Sequence, residues 1–251
     1  MEIDFNIDKI NELIAIFNSI SNEKVGDGNW LAYYKRAMDG FKAIIYGLKG
    51  HYNCLQSMSN IIHDILKEGS LTEDELIKLD HHVSDILFNL DSAIECMVFA
   101  LNAIGYGIMD TNGFLSIEDD KKLREIGPHN VFNITNKFSY QKYFPALVKY
   151  WLEVSEIRGY VTPKKLWKSI RDQHDVSKHR SRIYHSHMGS KNEIDIILDV
   201  NPKEPLNRQT PVDFNAHYPW TLNEHINAFV IFINKSCDAM YLDLTNFLNT
   251  L

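Results

Sequence analysis

Apolar residues recur at steps of three and four over most of this chain, and that period marks amphipathic helices. In the clearest run, Leu76, Leu79, Val83, Ile86, Leu90, Ile94, Met97, Leu101 and Ile104 follow one another down one face. Thr72 stands before it as a cap, and Glu73, Asp74 and Glu75 fill the first turn, where negative charge suits the helix dipole. The run ends at Gly105-Tyr106-Gly107. A second long run, from Leu222 through Ile226, Phe229, Ile233, Cys237, Met240 and Leu244 to Phe247, lies behind the capping box Thr221–Glu224. Two such seams need each other to be buried, which predicts an all-α bundle of long antiparallel helices.

Shorter signals fill in the rest. Ile10, Leu13, Ile14, Phe17 and Ile20 predict a first helix over 7–20. Asn29 can cap a helix from Trp30 to about Lys67, with Gly47 and Gly50 as candidate break points. Ser116 starts a short helix, Ile117–Ile126, stopped by Gly127-Pro128. Ser139–Ile157 forms another, with Pro145 in its first turns or marking a break. Thr162-Pro163 is a strong helix start, and this helix runs through Trp167, Ile170 and Val176 towards Gly189. The β-branched residues of 194–200 predict a short strand or extended arm. Residues 201–219, with four prolines, read as loop. No Pro/Gly/Ser-rich linker divides the chain, so residues 1–251 are expected to form a single domain.

Charge and cysteine usage narrow the function classes. A net charge of −7 argues against coating nucleic acid with the whole surface. Cys54, Cys96 and Cys237 form no CxxC pair and no metal-ligand pattern, which fits buried or idle thiols in a reducing compartment. The acidic start, Met1-Glu2-Ile3-Asp4, lacks the basic and apolar regions of a signal peptide. The apolar stretch Ile94–Met109, interrupted by Glu95 and Asn102, is shorter than the ~20 residues that cross a bilayer. The expectation is a cytoplasmic protein without membrane contact.

One stretch goes against the net charge. Lys164 to His187 carries seven basic residues (Lys164, Lys165, Lys168, Arg171, Lys178, Arg180, Arg182) against Asp172 and Asp175. His174, His179, His185 and His187 lie among them. Such an island is either a solvated basic helix face or a site for a phosphate-bearing ligand. Arg180-Ser-Arg-Ile-Tyr-His185 spaces an arginine and a histidine by four residues, and Arg182–His187 repeats the interval.

With that spacing on a helical chain, the sequence resembles the HEPN superfamily, helical bundles with an Arg-x4–6-His motif late in the chain. The run Ala93–Gly105 also looks like helices of uncharacterised bacterial members, and the resemblance extends over most of the chain. It implies a metal-independent endoribonuclease of toxin or phage-defence type, acting on RNA or a nucleotide. It also implies a homodimer and a cognate antitoxin. Arg180 and His185 would be catalytic, and Arg171, Lys178, His179, Arg182 and His187 would bind substrate. The alternative is a catalytically inactive HEPN-like module that binds RNA, nucleotide or a protein partner through the same basic helix. Ser181 separates the two, because the family commonly carries Asn, Asp or His at that place. Arg171 is followed by the preferred type, Asp172, but His174 and His179 fall outside the motif interval.

The chemistry explains the residue types. Metal-free RNA cleavage uses the ribose 2′-OH as nucleophile. A histidine with a reference pKa of about 6.5 moves that proton near neutrality, and an arginine offers fixed donors to phosphoryl oxygens. On one regular helix Arg180 and His185 would diverge by about 140°. Their convergence therefore needs the helix to end near His179 or a two-fold partner to complete the site. Other candidates have plainer readings. His81-His82 reads as surface. Glu95 and Asn102 read as satisfied within the bundle, or as reaching a buried polar site. Trp151, Tyr150 and Trp167 read as core, with base stacking by Trp167 as the alternative. The histidines match no HExxH or Cys-paired metal pattern, so no metal is expected. Without a P-loop, GxGxxG or nucleophile elbow, no cofactor is expected either.

Overall fold

A computed structural model describes residues 3–23, 29–68, 72–132, 137–153, 162–179, 185–190, 193–198 and 222–251. The fold is all-α, as the apolar period predicts. Among the described residues lie α1 (Ile7–Glu23), α2 (Asn29–Glu68), α3 (Glu73–Ile104), α4 (Asp120–Leu123), α5 (His129–Phe132), α6 (Lys137–Tyr143), α7 (Pro145–Glu153), α8 (Pro163–His179) and α9 (Leu222–Leu248). An antiparallel hairpin of β1 (His185–Ser190) and β2 (Glu193–Leu198) stands where the strand or arm is expected.

Two of the caps read from sequence form, at Thr72 and Thr162. Thr72 N donates to Glu75 Oε2 (2.9 Å) and Glu75 N donates to Thr72 Oγ1 (3.4 Å), a reciprocal box at the start of α3. Thr162 Oγ1 accepts from Lys165 N (3.3 Å) at the start of α8. The box at Thr221 lies outside the described residues.

The chain divides into two compact units: 1–3, 45–91 and 166–229 in the first, and 4–44, 92–165 and 230–251 in the second. In the first unit α2 and α3 pack antiparallel, with Gly47 against Asn89 and His51 against Asp85. A Cβ on Gly47 would lie 3.2 Å from Asn89 Oδ1, so the glycine permits close approach there rather than breaking α2. Leu48, Tyr52, Val83, Leu87, Leu166, Ile170 and Phe229 fill this core.

In the second unit an aromatic core forms around Phe114, Phe132, Tyr140, Phe144, Trp151 and Phe232. α3 runs on into a π-helical turn, Gly105–Met109. A Cβ on Gly105 would sit 2.5 Å from the Phe114 ring, and one on Gly107 would meet Trp30. Asn102, fully buried, accepts from Leu115 N (3.1 Å) and donates to Leu115 O (2.8 Å). It is thus satisfied within the fold, and Glu95 is exposed.

The helix expected after Ser116 needs correction. The helix over Ile117–Ile126 shrinks to the four residues of α4. Ser116 Oγ accepts from Glu118 N (3.1 Å) and Asp119 Oδ1 from Lys121 N (2.8 Å), so local side chains take the donors of an earlier turn. Of the two readings of Pro145 in the helix over 139–157, the structure has the break: α6 stops before Phe144 and Pro145 opens α7. By length and composition alone Glu73–Met109 is long and apolar enough to cross a membrane, and 56% of its most apolar window is buried inside the fold.

Candidate functional site

The basic stretch is carried by α8. Leu166, Trp167 and Ile170 form its buried face, so Trp167 is core. Trp151 is core as well, and Tyr150 is half-buried. Lys164, Lys165 and Lys168 are exposed, the face that the basic residues leave to solvent. Lys164 Nζ reaches Phe132 O at 3.4 Å. The Arg171 guanidinium lies over the Trp167 ring at 4.6 Å and stands 3.5 Å from Asp172 Oδ1.

α8 does not run towards Gly189. It is described over Pro163–His179, with Lys178 and His179 as the last two described residues. Arg180 and Arg182 lie outside the described residues. His185 and His187 belong to β1, opposite Leu198 and Ile196 of β2. The change of element follows composition, since Ile194, Ile196 and Ile197 favour a strand and pull His185–Ser190 into pairing. Arg180 and His185 therefore do not share one helix, and the divergence of about 140° that a continuous helix imposes does not apply.

The structure adds a pair that the motif reading passed over. His174 Nδ1 lies 2.8 Å from Asp91 Oδ2, with side-chain exposures of 12% and 8%. The Phe88 ring meets the imidazole edge-on, with centroids 5.6 Å apart at 76°. Asp91 Oδ1 is buried and makes no hydrogen bond among the described residues. The signal was present in sequence: Asp91 stands between Leu87, Leu90 and Ile94, all fully buried on the apolar seam of α3. A carboxylate there needs a partner. Ser169 Oγ and His225 Nε2, 3.0 Å apart, join α8 to α9 within the same unit.

A second cluster links α2 and α3. His51 Nδ1 and His82 Nδ1 are 3.1 Å apart, and Asp85 Oδ2 lies 3.5 Å from His51 Nε2 and 3.2 Å from His81 Nε2. His81 is exposed as the sequence reading had it, but His82 is half-buried against His51. The nitrogens form a chain rather than converging, and among the described residues no three His, Cys, Asp or Glu side chains are grouped to hold a metal. The Nδ1–Nδ1 contact needs one donor and one acceptor, which a doubly protonated pair lacks.

This cluster makes stability pH-dependent. Burial, then His51 and His81, hold His82 below the ordinary imidazole value, against the opposing pull of Asp85. The unfolded chain therefore binds the proton more readily than the folded one. Stability is fully present above about pH 6.5 and declines as the pH falls through the lowered value. The urea midpoint of wild type is expected to drop more between pH 7 and pH 5 than that of His82→Asn. Parallel curves for the two proteins would contradict this.

The cysteines Cys54, Cys96 and Cys237 are free thiols. Cys54 is exposed rather than buried. Burial pushes the Cys96 thiol up to about 11 and Cys237 up to about 12. Compared with known proteins, the chain matches no family model, no curated protein and no solved structure.

Proposed function

We propose that this chain is an HEPN-like metal-independent endoribonuclease of toxin or phage-defence type, with Arg180 and His185 at its centre. The observation that supports the reading most is that His185 opens β1 instead of continuing α8. A continuous helix would hold Arg180 and His185 apart. With His185 in β1, that obstacle within one chain is removed. In the proposed reaction the 2′-OH attacks the adjacent phosphorus, the P–O5′ bond breaks, and a 2′,3′-cyclic phosphate and a 5′-OH result. His185 moves the proton, and Arg180 faces the phosphoryl oxygens as charge builds on them. Arg171, Lys178, His179, Arg182 and His187 would contribute to RNA binding. A two-fold dimer and a cognate antitoxin belong to the proposal on the family resemblance alone, since helix geometry no longer demands a partner chain.

Ser181, following Arg180, favours a second reading: a non-cleaving module that holds RNA, nucleotide or a protein through α8. Expression in a bacterial host decides between them. Wild type is expected to arrest growth, and Arg180→Ala and His185→Ala to relieve the arrest. In EDTA the purified variants should lose RNA cleavage by about 100-fold or more. Harmless expression of all three proteins, with RNA retained but uncut, supports the binding module instead.

A further inference from the structure

We propose that His174, held by Asp91, is a proton-transferring histidine for RNA, with Arg171 facing the phosphate and Phe88 stacking a base. The inference rests on the ribonuclease reading and places its chemistry on residues outside the Arg-x4-His run.

Several observations converge in the first unit. Asp91 Oδ2 stands 2.8 Å from His174 Nδ1, which fixes Nδ1 as the protonated nitrogen and leaves the lone pair on Nε2. Phe88 sets the ring plane by its edge-on contact. The Asp91 residue is only 6% exposed, yet its Oδ1 makes no hydrogen bond among the described residues. A carboxylate serving only to pin two helices would be expected to use both oxygens, because buried acceptors seldom go unpaired. Phe88 is itself 48% exposed, a large aromatic ring at the surface beside a positioned imidazole. Exposed aromatic rings serve as platforms for unpaired bases. Arg171 precedes His174 by three residues on α8, so the two share one helix face. The guanidinium lies flat over Trp167 with its side chain 36% exposed. Arginine and histidine are thus neighbours on one rigid element, unlike Arg180 and His185.

In the proposed step His174 Nε2 takes the proton from the 2′-OH as the O2′–P bond forms. The P–O5′ bond breaks, and O5′ leaves with the proton that His185 moves in the proposed reaction. Asp91 does not touch substrate; it is a positioning residue that selects the Nδ1–H tautomer and aims Nε2.

The test separates this role from a structural one. His174→Asn keeps a donor near the Nδ1 position, so the Asp91 contact survives, but it removes Nε2. If the pair only pins helices, this variant retains activity. The expected result is a wild-type melting curve with kcat on a labelled RNA in EDTA reduced about 100-fold or more. Asp91→Asn is expected to shift the pH–rate profile, and Phe88→Ala to raise KM and lower kcat together, since it removes both the base platform and the ring contact that orients His174. Wild-type kcat in His174→Asn, with activity lost in Arg180→Ala and His185→Ala, overturns the inference and leaves the ribonuclease reading standing. A wild-type protein that binds a 2′-deoxy oligonucleotide but cleaves no RNA overturns both the ribonuclease reading and the role of His174.

Discussion

Replacing Trp151 by alanine is expected to destabilise the fold by about 4 kcal/mol, within the range of large aromatic deletions from cores. Trp151 is 1% exposed on α7. Its ring stacks on Phe132 with centroids 4.8 Å apart at 17°, and tilts against Phe232 at 5.2 Å. The indole Nε1 donates to Ser236 Oγ at 2.9 Å, and Ser236 Oγ donates onward to Phe232 O at 2.7 Å. Alanine removes the two ring contacts and opens a cavity between α5, α7 and α9. Ser236 keeps its own acceptor, so the lost hydrogen bond adds only about 1 kcal/mol. Such a loss is a large part of the ~5–15 kcal/mol that a typical fold has. Trp151→Phe retains most of the stacking and should cost well under half as much. Urea unfolding followed by circular dichroism checks both variants. A loss below about 1.5 kcal/mol for alanine would mean that the neighbours collapse into the space, contrary to the close packing described.

How much of this was legible in sequence depended on the range of the interaction. The long seams of α3 and α9, the start of α8 at Thr162-Pro163 and the strand at 194–198 rest on local period and composition, and each appears in the fold. The collapse of the helix after Ser116 was also local. It turned on side-chain bonds from Ser116 and Asp119, which the apolar pattern does not register. The candidate site was less readable. Asp91 on an apolar seam announced a buried partner, but His174 stands 83 residues away, and spacing alone cannot choose it among eleven histidines. His81-His82 reads as surface from sequence, and the approach of His51 from α2 to His82 is a tertiary fact. Arg180 and Arg182, central to the motif reading, lie outside the described residues, and His185 proved to be a strand residue.

Asp243→Ala is expected to cost about 3 kcal/mol, because it strands two backbone donors rather than one side chain. Asp243 is 2% exposed on α9, and its carboxylate accepts from Ala146 N and Leu147 N, each at 3.0 Å. Those N–H groups belong to the first turn of α7, where no intrahelical acceptor exists. A negative charge also suits that end of the helix dipole. Burial opposes the arrangement and raises the Asp243 pKa, and the two backbone donors offset only part of it. The folded chain thus favours the neutral acid more than the unfolded chain does. That favourable contribution is fully present below the ordinary carboxylate value of about 3.9, and it is lost as pH rises through the elevated folded value. Asp243→Asn keeps one acceptor oxygen and sheds the charge, so it should cost about 1 kcal/mol at pH 7. Its disadvantage should widen on acidification, because wild type gains from protonation and asparagine does not. Urea unfolding of both variants and wild type at pH 7 and pH 4.5 measures this. A gap to asparagine that narrows at the lower pH would mean that the ionised carboxylate, not the pair of accepted hydrogen bonds, holds the start of α7.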